Sequence, residues 1–482
     1  MESHMMVGDA DDRVRQGLEE VRELLDRHRV LTTLASREPS ADRRELLEHM
    51  QRRQNLVELQ RRFGRRHPAD LAAILEALSP EDRQLVWRQL EPAQAARVLL
   101  ETGESVRESL MHELGRDELV AVLTHLDGDD LAYLADTIPE EVLAEVSHLL
   151  EAADRRFFLD SRAWSEKSVG RLMTPDVAVA RESHTLGQTI AELRTRGALP
   201  DHTERLFVVD ARNILRGAVG LDALLAREPD TPVAAAMATD VVSFTPDQPA
   251  AQAAQAFERY DLISAPVVDE RGKLVGRVTV DRAVDFMRQE AEQQALSLAG
   301  LRGEEDLFAS VWESAKNRWP WLCLNLFTAF LASRVIGAFE QTIQQLVALA
   351  ALMPIVASVG GNTGNQTIAL VIRGLALGQI HETHAWHLVR KELTVSLLNG
   401  LTWGSVMAVV AGLLYHSGPL AVVMMAAVCL NLIIAALTGI AVPLALKRAD
   451  RDPAQGSSVV LTFVTDSMGF FLVLGLARIF LI

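Results

Sequence analysis

Two cysteines occur in 482 residues, Cys323 and Cys429, and both lie in apolar stretches. A disulfide framework is therefore excluded, and the polar part of the chain suits a reducing compartment. Acids almost disappear from the C-terminal third: between Trp319 and Leu446 only Glu340, Glu382 and Glu392 are found. There is no Gly-x-x-x-x-Gly-Lys-Ser/Thr loop, so no ATP-driven step is indicated. Neither an acid/base pair nor a nucleophile elbow stands beside the apolar region's isolated acid, which leaves an enzyme without support. Met1 through Arg29 is polar and charged, not a cleavable signal peptide, so internal spans are expected to direct insertion.

What is present divides in two. Charged residues fill the first two thirds, and the formal charge of −16 belongs there. An acidic surface repels nucleic acid and anionic lipid but attracts divalent cations. Residues 1–62 read as a charged helical extension with Leu18, Val21, Leu24 and Leu25 on one face. Residues 63–165 are a run of short amphipathic segments whose breaks carry helix-start chemistry: Ser79 as N-cap with Pro80 and Asp82 after it, and similar patterns at Glu91-Pro92 and Ile138-Pro139-Glu140. A superhelical stack of short helix hairpins follows. Residues 166–279 hold a diverged repeat: Leu172-Met173-Thr174-Pro175-Asp176-Val177 is echoed by Ala236-Met237-Ala238-Thr239-Asp240-Val241, and Phe207-Val208-Val209-Asp210 by Pro266-Val267-Val268-Asp269. This resembles an α/β tandem CBS pair. One long connecting helix is expected over 280–316, and an all-α transmembrane domain over 317–482.

The hydrophobic third reads as five spans, near 319–339, 342–378, 394–415, 419–446 and 459–482. The second is too long for one straight crossing, and its break is expected at Pro354 and the segment Gly360-Gly361-Asn362-Thr363-Gly364-Asn365-Gln366. Exposed backbone and carboxamides at that depth persist only against protein or a water-filled cavity. Asp466 is the one carboxylate between Val459 and Ile482, and an acid at membrane depth marks a functional site by default. Basic residues at Lys316 and Arg318, at Arg373, Arg390 and Lys391, and at Lys447, Arg448 and Arg451 place the N-terminus in the cytosol and the C-terminus outside.

The glycine/asparagine run, the entry Trp319-Pro320-Trp321-Leu322, the trio Asp452-Pro453-Ala454, and Thr465-Asp466 followed by Gly469-Phe470 resemble the MgtE family of magnesium channels, with the resemblance spanning about residues 60 to 482. It implies a homodimeric, magnesium-selective channel in the plasma membrane with a cytosolic gating region, the helix over 280–316 acting as its plug. Five spans are an odd number, so a pathway on a two-fold axis between two copies fits them, each side chain being supplied twice. Two copies of Asp466 would favour a divalent ion. Magnesium keeps several of its waters, so Gly361, Asn362 and Asn365 would serve as outer contacts. Where the family usually has Gly-Pro or Asn-Pro after a serine, this chain has Ser457-Ser458-Val459, and the Ser458 hydroxyl is expected to replace a missing contact.

Two further departures bear on regulation. Many CBS modules hold a ribose with an acid three residues after a Ser or Thr; here those positions are Arg282 and Ala223, which makes ATP binding doubtful. The family's connecting helix carries a dense acid cluster for regulatory magnesium. This chain keeps Asp281, Asp285, Glu290 and Glu292, with Asp452 as a further candidate, but has Arg282, Gln293 and Gln294 where acids are expected, so weakened magnesium gating is predicted. An ordinary solvated helix face is the competing reading. For Asp466 the competitor is a structural acid paired with Arg478; for Asn362 and Asn365 it is glue between helices. His381, His384 and His387 recur every three residues but read as an interfacial helix with Trp386. Manganese, cobalt or nickel transport and a non-conducting CBS sensor stay as alternatives; softer ions would call for His, Cys or Met beside Asp466, and only Met468 is near.

Overall fold

The computed structural model describes residues 8–35, 60–61, 63–64, 66–298, 300–301, 308–376, 380, 385–449, 451–454 and 456–482. They fall into two compact units, one up to Ala291 and one over Ser310–Ile482.

The first unit opens with α1 (Gly8–Ala35), followed by α2 (Pro68–Glu76), α3 (Pro80–Trp87), α4 (Pro92–Glu101), α5 (Glu104–Glu113), α6 (Arg116–Leu123), α7 (Gly128–Leu134), α8 (Glu140–Leu149) and α9 (Ala152–Ser161). Ser79 Oγ accepts from the Asp82 amide at 3.4 Å, as the N-cap pattern predicts. The start of α8 is shifted by one residue: Pro139 is itself the cap and Glu140 opens the helix. Leu18, Val21, Leu24 and Leu25 do turn one face of α1 onto the helical core.

The stack has an arginine period. Arg83 Nε donates to the Leu75 carbonyl and Nη2 to Leu78; Arg107 repeats this on Leu99 and Thr102, and Arg155 on Ser147 and Leu150. Each guanidinium bonds carbonyls at the end of the preceding helix, where the regular i to i+4 ladder runs out. The arginines stand 24 and 48 residues apart, so the repeat unit is a 24-residue helix pair that lacks its arginine once, at Leu131.

The CBS pair follows. After α10 (Val169–Leu172), β1 (Val179–Arg181) runs parallel to β2 (Arg205–Val209), which pairs antiparallel with β3 (Leu215–Gly220); α11 (Leu186–Arg196) connects β1 to β2 and α12 (Leu221–Ala226) follows β3. In the second copy α13 (Val233–Ala236) and α14 (Ala250–Tyr260) precede the antiparallel pair β4 (Ser264–Val268) and β5 (Leu274–Thr279). The copies are exchanged across each other: Gly217 on β3 lies against Ala238 and Met237, and Gly276 on β5 against Thr174 and Met173. A side chain at either glycine would strike the partner copy's backbone, at 2.4 Å and 2.8 Å from a Cβ.

The single helix expected over 280–316 is two. α15 (Val280–Leu298) ends in a Schellman cap, with Gly300 at φ +80°, its amide on the Ser297 carbonyl and the Leu301 amide on Leu296. α16 (Val311–Ala338) then begins afresh and runs through Pro320.

The second unit contains α16, the short α17 (Glu340–Gln345), α18 (Ala348–Ala376), α19 (Ala385–Tyr415), α20 (Gly418–Arg448) and α21 (Ser457–Phe480). Among the described residues four helices are long and apolar enough to cross a membrane: Ser314–Ala338, Trp386–Tyr415, Gly418–Arg448 and Ser457–Phe480. α18 falls outside that set because the glycine/asparagine segment dilutes its hydropathy, although at about 1.5 Å per residue its 29 residues are ample to cross. The break also lies elsewhere than expected. The helix continues through Pro354 and the whole polar segment, and the interruption falls at Leu346-Val347, between α17 and α18. Pro354 is only the seventh residue of α18, so its missing N–H frees a first-turn carbonyl and the helix absorbs it. α20, the most apolar helix, is packed against α18, α19 and α21. Leu397, Leu398, Leu401, Val409 and Leu413 of α19 are exposed, as side chains facing hydrocarbon would be.

Candidate functional site

α18 and α21 cross antiparallel along a seam of small residues. A Cβ on Gly469 would meet Ala357, one on Gly361 would sit 3.6 Å from Thr465 Oγ1, and one on Gly364 would strike Leu461. Positions 357, 361 and 364 thus meet 469, 465 and 461 in reverse order.

This seam decides where the polar side chains go. Asn362 and Asn365 each follow a seam residue by one, as Thr462 and Asp466 do on α21. One residue is a turn of about 100°, and in antiparallel helices equal turns from a shared contact point to the same flank. Ser358, Asn362, Asn365, Thr462 and Asp466 therefore line one side of the crossing. Burial agrees: Ser358, Asn362, Asn365, Gln366 and Thr462 are exposed and Asp466 is half-buried. Among the described residues no hydrogen bond or ion pair holds the Asp466 carboxylate, Arg478 included, and none holds the carboxamides of Asn362 and Asn365. Ser458 lies two turns before Asp466, half-buried, its carbonyl accepting the Thr462 hydroxyl at 2.8 Å. Gly361 is half-buried in the seam itself. A chain that spans a membrane cannot leave such a flank to lipid.

On other faces α18 is held by partners that sequence reading did not single out as site residues. Asn431 of α20, fully buried, donates through Nδ2 to the Val356 carbonyl at 3.0 Å and fills the space over Gly360. Glu392 of α19, 5% exposed, accepts the Thr367 hydroxyl at 3.2 Å. A lone Asn in the otherwise apolar run from Pro419 to Leu437 was the available signal for the first; a lone Glu past a basic pair was the signal for the second.

The acids of α15 are spread among separate partners. Asp281 lies 3.6 Å from His202 and Glu290 pairs with Lys167 at 3.2 Å; Asp285 is half-buried, its carboxyl held above the usual range by burial, and Glu292 is exposed. Asp452 is exposed and accepts the Ala454 amide at 2.9 Å. Arg282, where a ribose-binding acid was sought, instead pairs with Asp130 of α7 and stacks 4.5 Å from the centre of the Tyr133 ring, whose hydroxyl accepts from Gln289 at 3.1 Å. Among the described residues no three carboxylate, imidazole or thiol groups cluster as a metal site within the chain. His381 and His384 lie outside the described residues, and His387 is exposed.

Residues 353–476, which include the polar segment and Asp466, match the MgtE divalent cation transporter family; residues 66–167 match the MgtE intracellular N domain, and residues 233–288 the CBS domain. The magnesium transporter MgtE of Thermus thermophilus is 31% identical over 423 residues, covering 86% of this chain and 93% of that one. The chain belongs to the MgtE family. The MgtE magnesium transporter of Bacillus subtilis is 27% identical over 86% of this chain and 94% of its own length. Among solved structures, the cytosolic domain of the magnesium channel MgtE in complex with ATP shares 30% identity over 50% of this chain and 97% of its own, at a TM-score of 0.44. This MgtE-family chain is a multi-pass membrane protein with a helical N-domain, a CBS pair and a helical C-terminal region.

Proposed function

We propose that the chain forms a homodimeric, passive magnesium channel in the plasma membrane, driven by the membrane potential. The supporting observation is the flank of Asn362, Asn365 and Asp466, whose polar groups have no partner among the described residues yet lie on long helices of the apolar C-terminal region. A second copy against this flank would enclose them and bring two carboxylates together across the axis. Magnesium dehydrates reluctantly, so a hydrated ion is held by Asp466 and, through its waters, by the carboxamides and by Gly361 and Ser458. Two charges crossing 100 mV inward gain about 4.6 kcal/mol, so no coupled energy source is needed. In this reading α18 is the fifth span, the N-terminus is cytosolic and the C-terminus external.

The first unit is then the gating region, with Asp281, Asp285 and Glu290 as its regulatory ligands; Glu292 and Asp452 are further candidates on the second unit. Its magnesium sensing is weakened, because Arg282 places a fixed positive charge where the family has an acid, and that charge already satisfies Asp130. ATP is a poor fit for the same reason, since neither Arg282 nor Ala223 can accept from a ribose hydroxyl. Uptake of magnesium into vesicles reconstituted with pure protein tests the channel: loss of flux in Asp466→Ala supports it. Flux of manganese, cobalt or nickel instead of magnesium would move the substrate, and absence of any flux in wild type would favour a non-conducting CBS sensor.

A further inference from the structure

The polar segment of α18 is bracketed by two buried polar ties. Before it, the Val356 carbonyl accepts from Asn431 Nδ2 on α20; after it, the Thr367 hydroxyl donates to Glu392 on α19. Both lie well round the helix from Asn362. Both anchors are at least nine-tenths buried, with Asn431 at 0% and Glu392 at 5% exposure. Asn431 Oδ1 and the Ser396 hydroxyl, one turn past Glu392, are buried without a hydrogen-bond partner among the described residues. Such groups are costly unless something else requires them.

What they bracket is the stretch of α18 that is poorest in side chains of its own, from Ala357 to Gly364. Interlocking side chains normally set the rotation of one helix against another; along this stretch they come from α21 alone, Leu461 against Gly364 and Thr465 against Gly361, while Ala357, Gly361 and Gly364 supply none in return. α20 keys α18 before this stretch, where Leu349, Leu352 and Met353 share a buried apolar cluster with Val423, Met424 and Leu432; beside the polar segment it offers Gly439, against the Gly364 carbonyl and Thr367. A rotation of α18 by 20° would shift each Cα about 0.8 Å round a cylinder of about 2.3 Å radius, and the carboxamide tips further. An ion read through its hydration shell is sensitive to displacements of that size.

We propose that Asn431 and Glu392 are positioning residues which fix the rotation of α18, hold Asn362 and Asn365 on the flank of Asp466, and thereby set the channel's discrimination between magnesium and other divalent ions. This rests on the channel reading. Neither residue touches the ion. They act from two different helices at the two ends of the segment, so loss of either frees one end to turn.

The test measures magnesium and calcium uptake by the full chain in vesicles for wild type, Asn431→Leu, Glu392→Leu, Glu392→Gln and Thr367→Val. In the same variants, a cysteine introduced by Asn365→Cys, with Cys323 and Cys429 replaced by serine, is timed against a membrane-impermeant thiol reagent. Asn431→Leu, Glu392→Leu and Thr367→Val should lower the magnesium-to-calcium flux ratio about tenfold, as sub-ångström loosening of a positioned site does, and change the thiol rate several-fold. Glu392→Gln keeps an acceptor for the Thr367 hydroxyl and should retain the wild-type ratio. A folded dimer with an unchanged ratio and an unchanged thiol rate in all three disruptive variants overturns the proposal. If Asn431→Leu does not fold, Thr367→Val, which changes least volume, carries the test. If wild type conducts nothing, the channel reading fails, and the thiol rate alone decides whether the two anchors hold α18.

Discussion

Arg282 of α15 and Asp130 of α7 join the CBS pair to the helical domain through one partly buried ion pair, backed by the Tyr133 ring at 4.5 Å from the guanidinium. A second tie, Lys167 to Glu290, lies farther along α15 at 3.2 Å. Removing one partner of such a pair leaves the other charge stranded in a partly dry site, at a cost of about 1 to 3 kcal/mol. Arg282→Ala should therefore speed hydrogen exchange in α7 and the first turns of α15, and the double variant with Asp130→Ala should be less affected than either single one. Additive effects of the two substitutions would show that the pair does not couple the domains.

The same carboxylate gives a pH dependence. Burial pushes Asp130 up to about 6 from an ordinary value of 3.8, against the pull of Arg282. Between these values the folded state holds a proton that the opened state has released, so stability of this junction falls as pH rises from about 4 to 6 and is level above. Asp127 and Asp285, both raised by burial, act in the same direction; Asp129, Arg107 and the Asp281 and His202 pair are the other charges nearby. Protection of α7 amides, corrected for intrinsic exchange, should decline by at most about 3 kcal/mol across that window. Asp130→Asn should flatten the decline, and a rise with pH would refute the assignment.

The arginine period supplies a third expectation. Arg107 is 4% exposed and bonds the Leu99 and Thr102 carbonyls, whereas Arg97, the sixth residue of α4, is exposed and bonds the Ala93 carbonyl of its own helix. Arg107→Ala should destabilise the helical domain by about 2 to 3 kcal/mol, since it strands two buried acceptors. Arg97→Ala should fall within about 0.5 kcal/mol of wild type. Thermal unfolding of the full chain, followed by exchange in α4 and α5, separates the two.

Much of this architecture could be read in advance because it is written in local patterns. Ser79-Pro80 caps α3 through chemistry confined to four residues, and the echo of Leu172–Val177 in Ala236–Val241 reappears as the exchanged packing of Gly217 and Gly276. Asp466 and the asparagines were conspicuous because polarity is rare among apolar neighbours. What stayed hidden depends on tertiary partners. The arginine period is not legible locally, because a charged residue in a sequence reads as solvated until the carbonyls of Leu75, Leu99 and Ser147 are found beside it. Gly300 ends α15 only because Leu296 and Ser297 offer their carbonyls to it. Pro354 looked like a helix break, yet a proline near a helix start removes little, and the true interruption at Leu346-Val347 has no breaker residue. Asn431 and Glu392 acquire meaning only once Val356 and Thr367 are found opposite them.

Adjacent glycines of the polar segment should respond in opposite ways. A Cβ on Gly360 would lie 2.2 Å from Asn431 Nδ2, and Asn431 is walled in at 0% exposure. A Cβ on Gly361 would meet only Thr465 Oγ1, at an ordinary 3.6 Å. Gly360→Ala should cost about 1 to 3 kcal/mol as overpacking and lower the melting temperature in detergent. Gly361→Ala should leave it nearly unchanged. Equal effects would mean that Asn431 is free to move aside.

Asp466 carries the sharpest expectation. Removing its charge without changing its shape, in Asp466→Asn, takes away both negative charges at the proposed axis, while the seam at Thr465 and Gly469 is untouched. Fold and assembly should therefore survive, with melting temperature and elution volume as in wild type, because no partner within the described residues depends on this carboxylate. Magnesium flux should drop by about a hundredfold or more, since a like pair of charges a few ångströms from a divalent ion contributes several kcal/mol at low effective dielectric. Discrimination against monovalent ions should fall with it. Asp466→Glu keeps the charge but extends it by one methylene, so it should conduct at a reduced rate with altered preference among divalent ions. Full magnesium flux in Asp466→Asn would remove the carboxylate from the pathway and leave the flank of Asn362 and Asn365 as an interface between copies.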